Sequence, residues 1–563
     1  MALQHILVAL VGFVVGVAGQ VLRRMRALLH TDMPTWQRTL PTSCVCSCVF
    51  GQASAPDLTW LLETSSFRSA SADGGRGIIA DGEGGAIFTG SFTGTASFGT
   101  TTLTSPAGAA SYAAAVPDVF VVRVNSTGDV VWAIQAGGDG SDEAYSIAPD
   151  GAGGALVTGS FKPSSNQGVY AASFGSTTLS FTGHCNGCSQ GFVMRVDSAG
   201  TVLWAIQTGS YDVRNDPEIV PSEGRAIASD GTGGAFVAGS IGFTMLGDLF
   251  VMHVDGTGNV VWNIATSGVN AANGCGIAPD GVGGALVTGI WHINNAGGVF
   301  GNVSLPTTGG HREVFAARVT SSGAVEWAVG VGSDMHPYAT MLADSSIASD
   351  GEGGAFVTAY LENTATYGAT SLTSRGGRDI VVTRLDSTGS ILWAAQAGGG
   401  QSDEGAGIVA DGTGGALVTG SFAGTATFGT TVLAVVDGYN SPTTAMFVTR
   451  INSTGSFEWA IKQGASGKGF GYGIALDCAG GALITGRSHS KIAAMRISLP
   501  DAAASSSCDA YGNVAPLPTA PQPTAPQPTA PLPAVPLPAA VARVQVDAGA
   551  KINVRDGGVL VIG

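Results

Sequence analysis

The chain has 563 residues and a formal net charge of −15, from 25 basic and 40 acidic side chains. That balance excludes a nucleic-acid footprint, which needs a basic surface. Only 12% of the residues are charged and 86 are glycine, against roughly a quarter charged in an average domain. Such a composition suits strands packed on both faces, with glycine and alanine where sheets approach closely.

In chain order, residues 1–27 come first, with an apolar run from Ile6 to Gly19 that stays uncharged to Leu22. A run of this length is read as a signal peptide or a membrane anchor, with residues 5–22 as the anchoring stretch. After cleavage near Ala18 to Gln20, Arg23, Arg24 and Arg26 would start the mature chain; on an uncleaved anchor they would place the following chain in the cytoplasm. Export is favoured by the cysteines and by the Asn-x-Ser/Thr sequons at Asn125, Asn302 and Asn452. Residues 28–54 form a linker with Cys44, Cys46 and Cys48. A lone strand-like stretch, LTWLLET, then surrounds Trp60.

From residue 55 to about 500 one unit repeats. The segment DGxGGA followed by an apolar pair and Thr-Gly begins at Asp81, Asp150, Asp230, Asp280, Asp350, Asp411 and, as DCAGGALITG, at Asp477, with Ala238 replacing Thr in the third copy and Ala359 replacing Gly in the fifth. Glycine takes positive φ at no steric cost and Asp bonds its own backbone, so each copy predicts a hairpin of strands A and B. A second run, such as VFVVRVNSTGDVVWAIQ from Val119 to Gln135, predicts strands C and D around another tight turn. Strand C carries Arg123, Arg195, His253, Arg318, Arg384, Arg450 and Arg496. Strand D carries Trp132, Trp204, Trp262, Trp327, Trp393 and Trp459. Strand D is one copy short after Arg496, and the stretch at Trp60 supplies it. The expected fold is all-β, a seven-bladed β-propeller of four-stranded antiparallel blades in which the N-terminal strand completes the last blade.

The succession GIAxDGxGGAxVTGSF, FGxxxLTS and DxFVxRxDSTGxVxWAxQ resembles the SBBP-type β-propeller repeat of secreted and cell-surface, mainly bacterial, proteins. The resemblance covers residues 55–500 and implies a propeller without an agreed substrate or catalytic residue. The Trp series is also similar to that of quinone-dependent dehydrogenase propellers, but no singular ligand set for a quinone and metal accompanies it. Six arginines with one histidine, and seven tryptophans, at equivalent positions therefore read as blade-packing groups, since an Arg in a buried strand must find a carboxylate, a carbonyl or a ring face.

The A–B and C–D turns are uniform, whereas the B–C and D–A connections vary. Binding residues belong on variable loops held by a rigid scaffold. The candidate site is thus the face with the B–C and D–A loops, where Asp139, Asp142, Glu143, Asp216, Glu218, Asp334, Asp403 and Glu404 fall. Such a rim could collect cations, Ca²⁺ included, or receive a protein or glycan partner; the alternative is that SDEA and SDEG merely cap strand A. No EF-hand or RTX calcium pattern occurs, and no cofactor is implied. Of the cysteines, one of Cys44, Cys46 and Cys48 is expected to pair with Cys478 or Cys508 where the termini meet, while HCNGC holds Cys185 and Cys188 on the opposite face with Cys275. Residues 501–540 are a Pro-rich spacer and 541–563 a short β-rich tail. The expected function is a secreted or surface-tethered, non-catalytic binding or adhesion scaffold. The alternative is a lyase or hydrolase built in the central opening around His311 or His336.

Overall fold

The computed structural model describes residues 56–64, 74–106, 116–162, 169–182, 189–209, 221–242, 247–267, 271–292, 298–305, 312–331, 345–435, 443–463, 469–477, 479–489 and 491–499. In each repeat the DGxGG turn closes as the sequence requires. Asp81 Oδ1 accepts the backbone N–H groups of Glu83 and Gly85, both at 2.8 Å, while Gly82 and Gly84 take φ of 79° and 87°. The strands that leave this turn are apolar on both faces; Ala86–Thr93, for example, is buried along its whole length.

Blade 1 pairs strands Gly74–Ala80, Ala86–Thr93, Pro117–Val124 and Val130–Gly138 in sequence order, and blades 2 to 6 repeat that order. The A strands are innermost. Each touches the A strands of both neighbouring blades, and the contacts run through all seven back to the first. Blade 7 takes its fourth strand from the N-terminal side: Asp57–Glu63 pairs antiparallel with Lys491–Ser498, placing Trp60 opposite Arg496. The chain is a seven-bladed β-propeller.

The FGxxxLTS motif proves to be a structural part of its own. In blades 1, 2, 4, 5 and 6 it is a two-stranded hairpin inside the B–C connection: Thr95–Phe98 with Thr101–Thr104, Val169–Phe174 with Thr177–Thr182, Gly298–Phe300 with Val303–Leu305, Thr364–Tyr367 with Thr370–Thr373, and Thr425–Phe428 with Thr431–Ala434. Three of these add to the outer strand of the preceding blade, through Ala172 opposite Gly138, Phe300 opposite Thr266, and Thr427 opposite Gly398. The motif's aromatic residue anchors the hairpin in its own blade. Phe174 lies 4.7 Å from Phe192 and Phe428 4.9 Å from Phe447 between ring centroids, all four fully buried. The hairpins therefore strap the perimeter of adjacent blades.

Candidate functional site

The repeating polar residues are consumed by the ring. In every blade the strand C basic residue meets the Asp that opens the A–B turn: Arg123 with Asp81, Arg195 with Asp150, His253 with Asp230, Arg318 with Asp280, Arg384 with Asp350, Arg450 with Asp411 and Arg496 with Asp477. Each carboxylate thus caps its turn with one oxygen and holds a largely buried basic side chain with the other. The tryptophans reach across to the next blade. The indole Nε1 of Trp132, Trp204, Trp262, Trp327 and Trp393 donates to a carbonyl of the following C–D turn, at Ser198, Gly256, Ser321, Ser387 and Ser453, over 2.9–3.1 Å. Only glycine fits beneath the ring, because a Cβ built at Gly200 would lie 3.0 Å from Trp132. Trp60 rests on Gly128 in the same way; Trp459 packs against blade 7, which has no C–D turn because its D strand comes from the N-terminal side. Asn125 and Asn452 hold C–D turns through Oδ1, as Asp197, Asp255 and Asp386 do in other blades. The turn by itself accounts for these two sequon asparagines.

The acidic candidates separate into distinct environments. Asp139 is exposed and Glu143 half-buried, whereas Asp142 and Asp403 are buried at 1% and 0% exposure. Asp142 Oδ2 accepts the Gly138 N–H at 2.6 Å, and Asp403 accepts from Gly399 and Ala423 at 2.7 and 3.0 Å, so both cap strand entries. Glu404 pairs with Arg378. The described rim is therefore partly neutralised by basic residues, which the sequence did not indicate: Arg378, Lys162 and Arg225 all hold rim glutamates. Asp216, Glu218 and Asp334 lie outside the described residues, as do His311, His336, Cys44, Cys46, Cys48, Cys185, Cys188, Cys478, Cys508 and residues 1–55. No cluster of three or more potential metal ligands occurs among the described residues.

Asp142 and Asp403 each meet a second buried carboxylate that sequence reading missed. A Cβ built at Gly137 would sit 2.7 Å from Asp142 Oδ2 and 2.8 Å from Asp118 Oδ1; at Gly398 the corresponding atoms are Asp379 Oδ1 at 2.8 Å and Asp403 Oδ2 at 2.9 Å. Asp118 Oδ2 accepts from the Gln135 amide, and Asp379 Oδ2 from that of Gln396. The other oxygens, Asp118 Oδ1 and Asp379 Oδ1, have no hydrogen-bond partner. Burial pushes Asp118, Asp142 and Asp403 up to about 7, and the neighbouring carboxylate adds to the rise at Asp142 and Asp403. The folded chain therefore holds protons that the unfolded chain, with Asp near 3.9, has lost. Stability is fully present below about pH 4 and falls as pH rises towards 7, at up to about 1.4 kcal/mol per pH unit for each proton held. Thermal unfolding at pH 5 and pH 8 should show the higher midpoint at pH 5, and Asp118→Asn, which supplies a permanent N–H donor, should flatten the difference. An unchanged slope in that variant would show that Asp118 does not carry the pH dependence.

The remaining chemistry lies at the mouth of the central opening. Strand A carries a β-bulge near its start in blades 1, 2, 3, 4, 6 and 7, and the bulged residue differs from blade to blade: Arg76, Tyr145, Arg225, Cys275, Ala406 and Tyr472. A bulge re-aims one side chain without altering the rest of the sheet. Two cation–aromatic stacks result, with the Arg225 guanidinium 4.7 Å from the Tyr145 ring centroid and that of Arg76 4.5 Å from the Tyr472 centroid.

No family model and no curated protein matches the chain. Among solved structures it is similar to the WD40 domain of Neurospora crassa Pan2, with 9% identity over 79% of this chain and 97% of that one at a TM-score of 0.39. It is also similar to a protein of unknown function from Bacteroides caccae, with 14% identity over 49% and 89% of the two chains at a TM-score of 0.20. The propeller is established by the chain's own closed ring of sheets, and the SBBP-type resemblance rests on the repeat residues.

Proposed function

We propose that this propeller is a non-catalytic binding scaffold, displayed outside the cell by its N-terminal segment and Pro-rich stalk, that takes a protein or glycan partner on the face with the B–C and D–A loops. One observation carries the reading. On the opposite face each blade presents an Asp paired with a strand C Arg or, in blade 3, His253, whereas at the mouth the bulge residue changes from blade to blade. A rigid frame with one variable surface is how binding proteins divide stability from recognition. The SBBP-type resemblance and the cysteines favour export; nothing among the described residues favours the lyase or hydrolase reading.

The test is capture of the purified ring on protein and glycan arrays, with calcium and with chelator. Tyr145→Ala at the mouth is expected to weaken capture about tenfold or more. Val282→Ser, in the exposed A–B turn of blade 4 on the opposite face, should leave capture unchanged. Equal losses in both variants, or none in either, would place recognition elsewhere.

A further inference from the structure

The two cation–aromatic stacks differ in one respect. Arg225 is neutralised: it bonds Glu223 two residues earlier, and Lys162 approaches the same carboxylate at 3.7 Å. Strand register makes Gly74 the equivalent of Glu223, since Gly74 faces Ser91 as Glu223 faces Ser240, and Arg76 the equivalent of Arg225. Glycine has removed the carboxylate while the arginine remains. Among the described residues Arg76 makes no hydrogen bond or ion pair, its guanidinium lying only over the Tyr472 ring.

The same junction between blades 7 and 1 holds a second such cation. Arg487 takes the position that Ser160 has in blade 2, each facing the residue two before the bulge. Its guanidinium lies 5.6 Å from the Phe470 ring centroid, and its Nε is buried without a hydrogen-bond partner. Elsewhere the strand C arginines that repeat from blade to blade, with Arg225 and Arg378, pair with carboxylates. In a chain of net charge −15, two arginines that pair with no acid among the described residues, beside a missing carboxylate, form an anion slot. Its walls are the half-buried rings of Phe470 and Tyr472, whose centroids are 6.2 Å apart at an interplanar angle of 10°. Gly74 forms the floor. A Cβ there would meet only Arg487 Cβ and Tyr472 Cε2, each at an ordinary 3.8 Å.

Resting on the scaffold reading above, we propose that this slot binds the carboxylate of an acidic saccharide, a hexuronate residue whose ring lies against Phe470 and Tyr472 while Arg76 and Arg487 hold its carboxylate. Guanidinium and carboxylate match as charge-assisted hydrogen-bonding partners. A saccharide fits better than an acidic peptide, because the bulge between Gly471 and Gly473 interrupts the free inner edge of strand Gly469–Leu476 that an added peptide strand would need.

The experiment titrates the full chain calorimetrically with trigalacturonate, with a neutral galactose trisaccharide and with a hexaglutamate peptide. Trigalacturonate alone should bind. Arg76→Gln and Arg487→Gln should each weaken it about tenfold or more. Gly74→Glu should supply the missing acid from within, abolish trigalacturonate binding and leave the protein folded with an unchanged or higher midpoint. Absence of trigalacturonate binding, binding indifferent to Arg76→Gln, or preference for the peptide would overturn the proposal; should Gly74→Glu fail to fold, the two arginine variants still decide. Array capture that survives a failed titration leaves the scaffold reading standing, and trigalacturonate binding without capture sensitive to Tyr145→Ala does the reverse.

Discussion

Replacing Asp350 by alanine is expected to lower the unfolding free energy by about 3–5 kcal/mol, the range for breaking a buried ion pair from one side. One carboxylate does two jobs here. Its Oδ1 accepts the N–H groups of Glu352 and Gly354 at 2.9 and 2.8 Å, and its Oδ2 accepts from Arg384 Nε and Nη2 at 3.2 and 2.9 Å. The Arg384 side chain is 10% exposed, so alanine would leave a nearly dry guanidinium with only the outer Glu352 carboxylate, itself 59% exposed. Asp350→Asn keeps the Oδ1 bonds that shape the turn and loses the charge, so it should fall between wild type and alanine. Guanidinium unfolding of the three proteins checks the order. Equal midpoints for Asn and wild type would show that the turn, and not the ion pair, carries the energy.

Deletion of residues 57–63 should be more damaging still. Trp60, 8% exposed, packs on the C–D turn of blade 1, and burial of such a side chain is worth about 3–5 kcal/mol. The deletion also strips Lys491–Ser498 of its partner and leaves an open sheet edge, which recruits other strands. The expected outcome is a midpoint lower by on the order of 10 °C, with dimers or larger species on size exclusion. A synthetic peptide of residues 56–64 added in trans should restore the monomer. A deletion variant that stays monomeric with the original midpoint would mean that the ring closes without this strand.

The functional residues were unevenly legible. Asp142, Glu143, Asp403 and Glu404 stand out in sequence as charges in SDEA and SDEG, yet one-dimensional reading treats all four alike. Folding splits them: Asp142 and Asp403 turn inward to cap backbone, Glu404 finds Arg378, and Glu143 stays half-buried at the mouth. Their carboxylate partners Asp118 and Asp379 open strand C, where an Asp reads as an ordinary strand-end residue. The bulge residues were hidden for another reason. Arg76, Tyr145, Arg225 and Tyr472 are not of one residue type, so a search for repetition discards them, and only the slipped pairing of strands A and B reveals one position. A period-breaking residue between the repeated apolar run and the D–A loop was the available signal.

By itself the sequence determined the ring. Seven Asp-opened glycine turns, a strand C cation, a strand D tryptophan and one displaced strand at Trp60 are local instructions, each enforced by glycine φ, by the Asp turn or by alternation along a strand. Copies of one instruction on successive blades leave few ways to assemble. Tertiary structure alone decided which charges remain available. Whether Arg76 has an acid, or Asp142 a second carboxyl, depends on what the neighbouring blade brings within a few ångströms, and those neighbours come from the far end of the chain or from the next repeat. Electrostatic interaction follows distance in space and burial, neither of which is written in the order of residues.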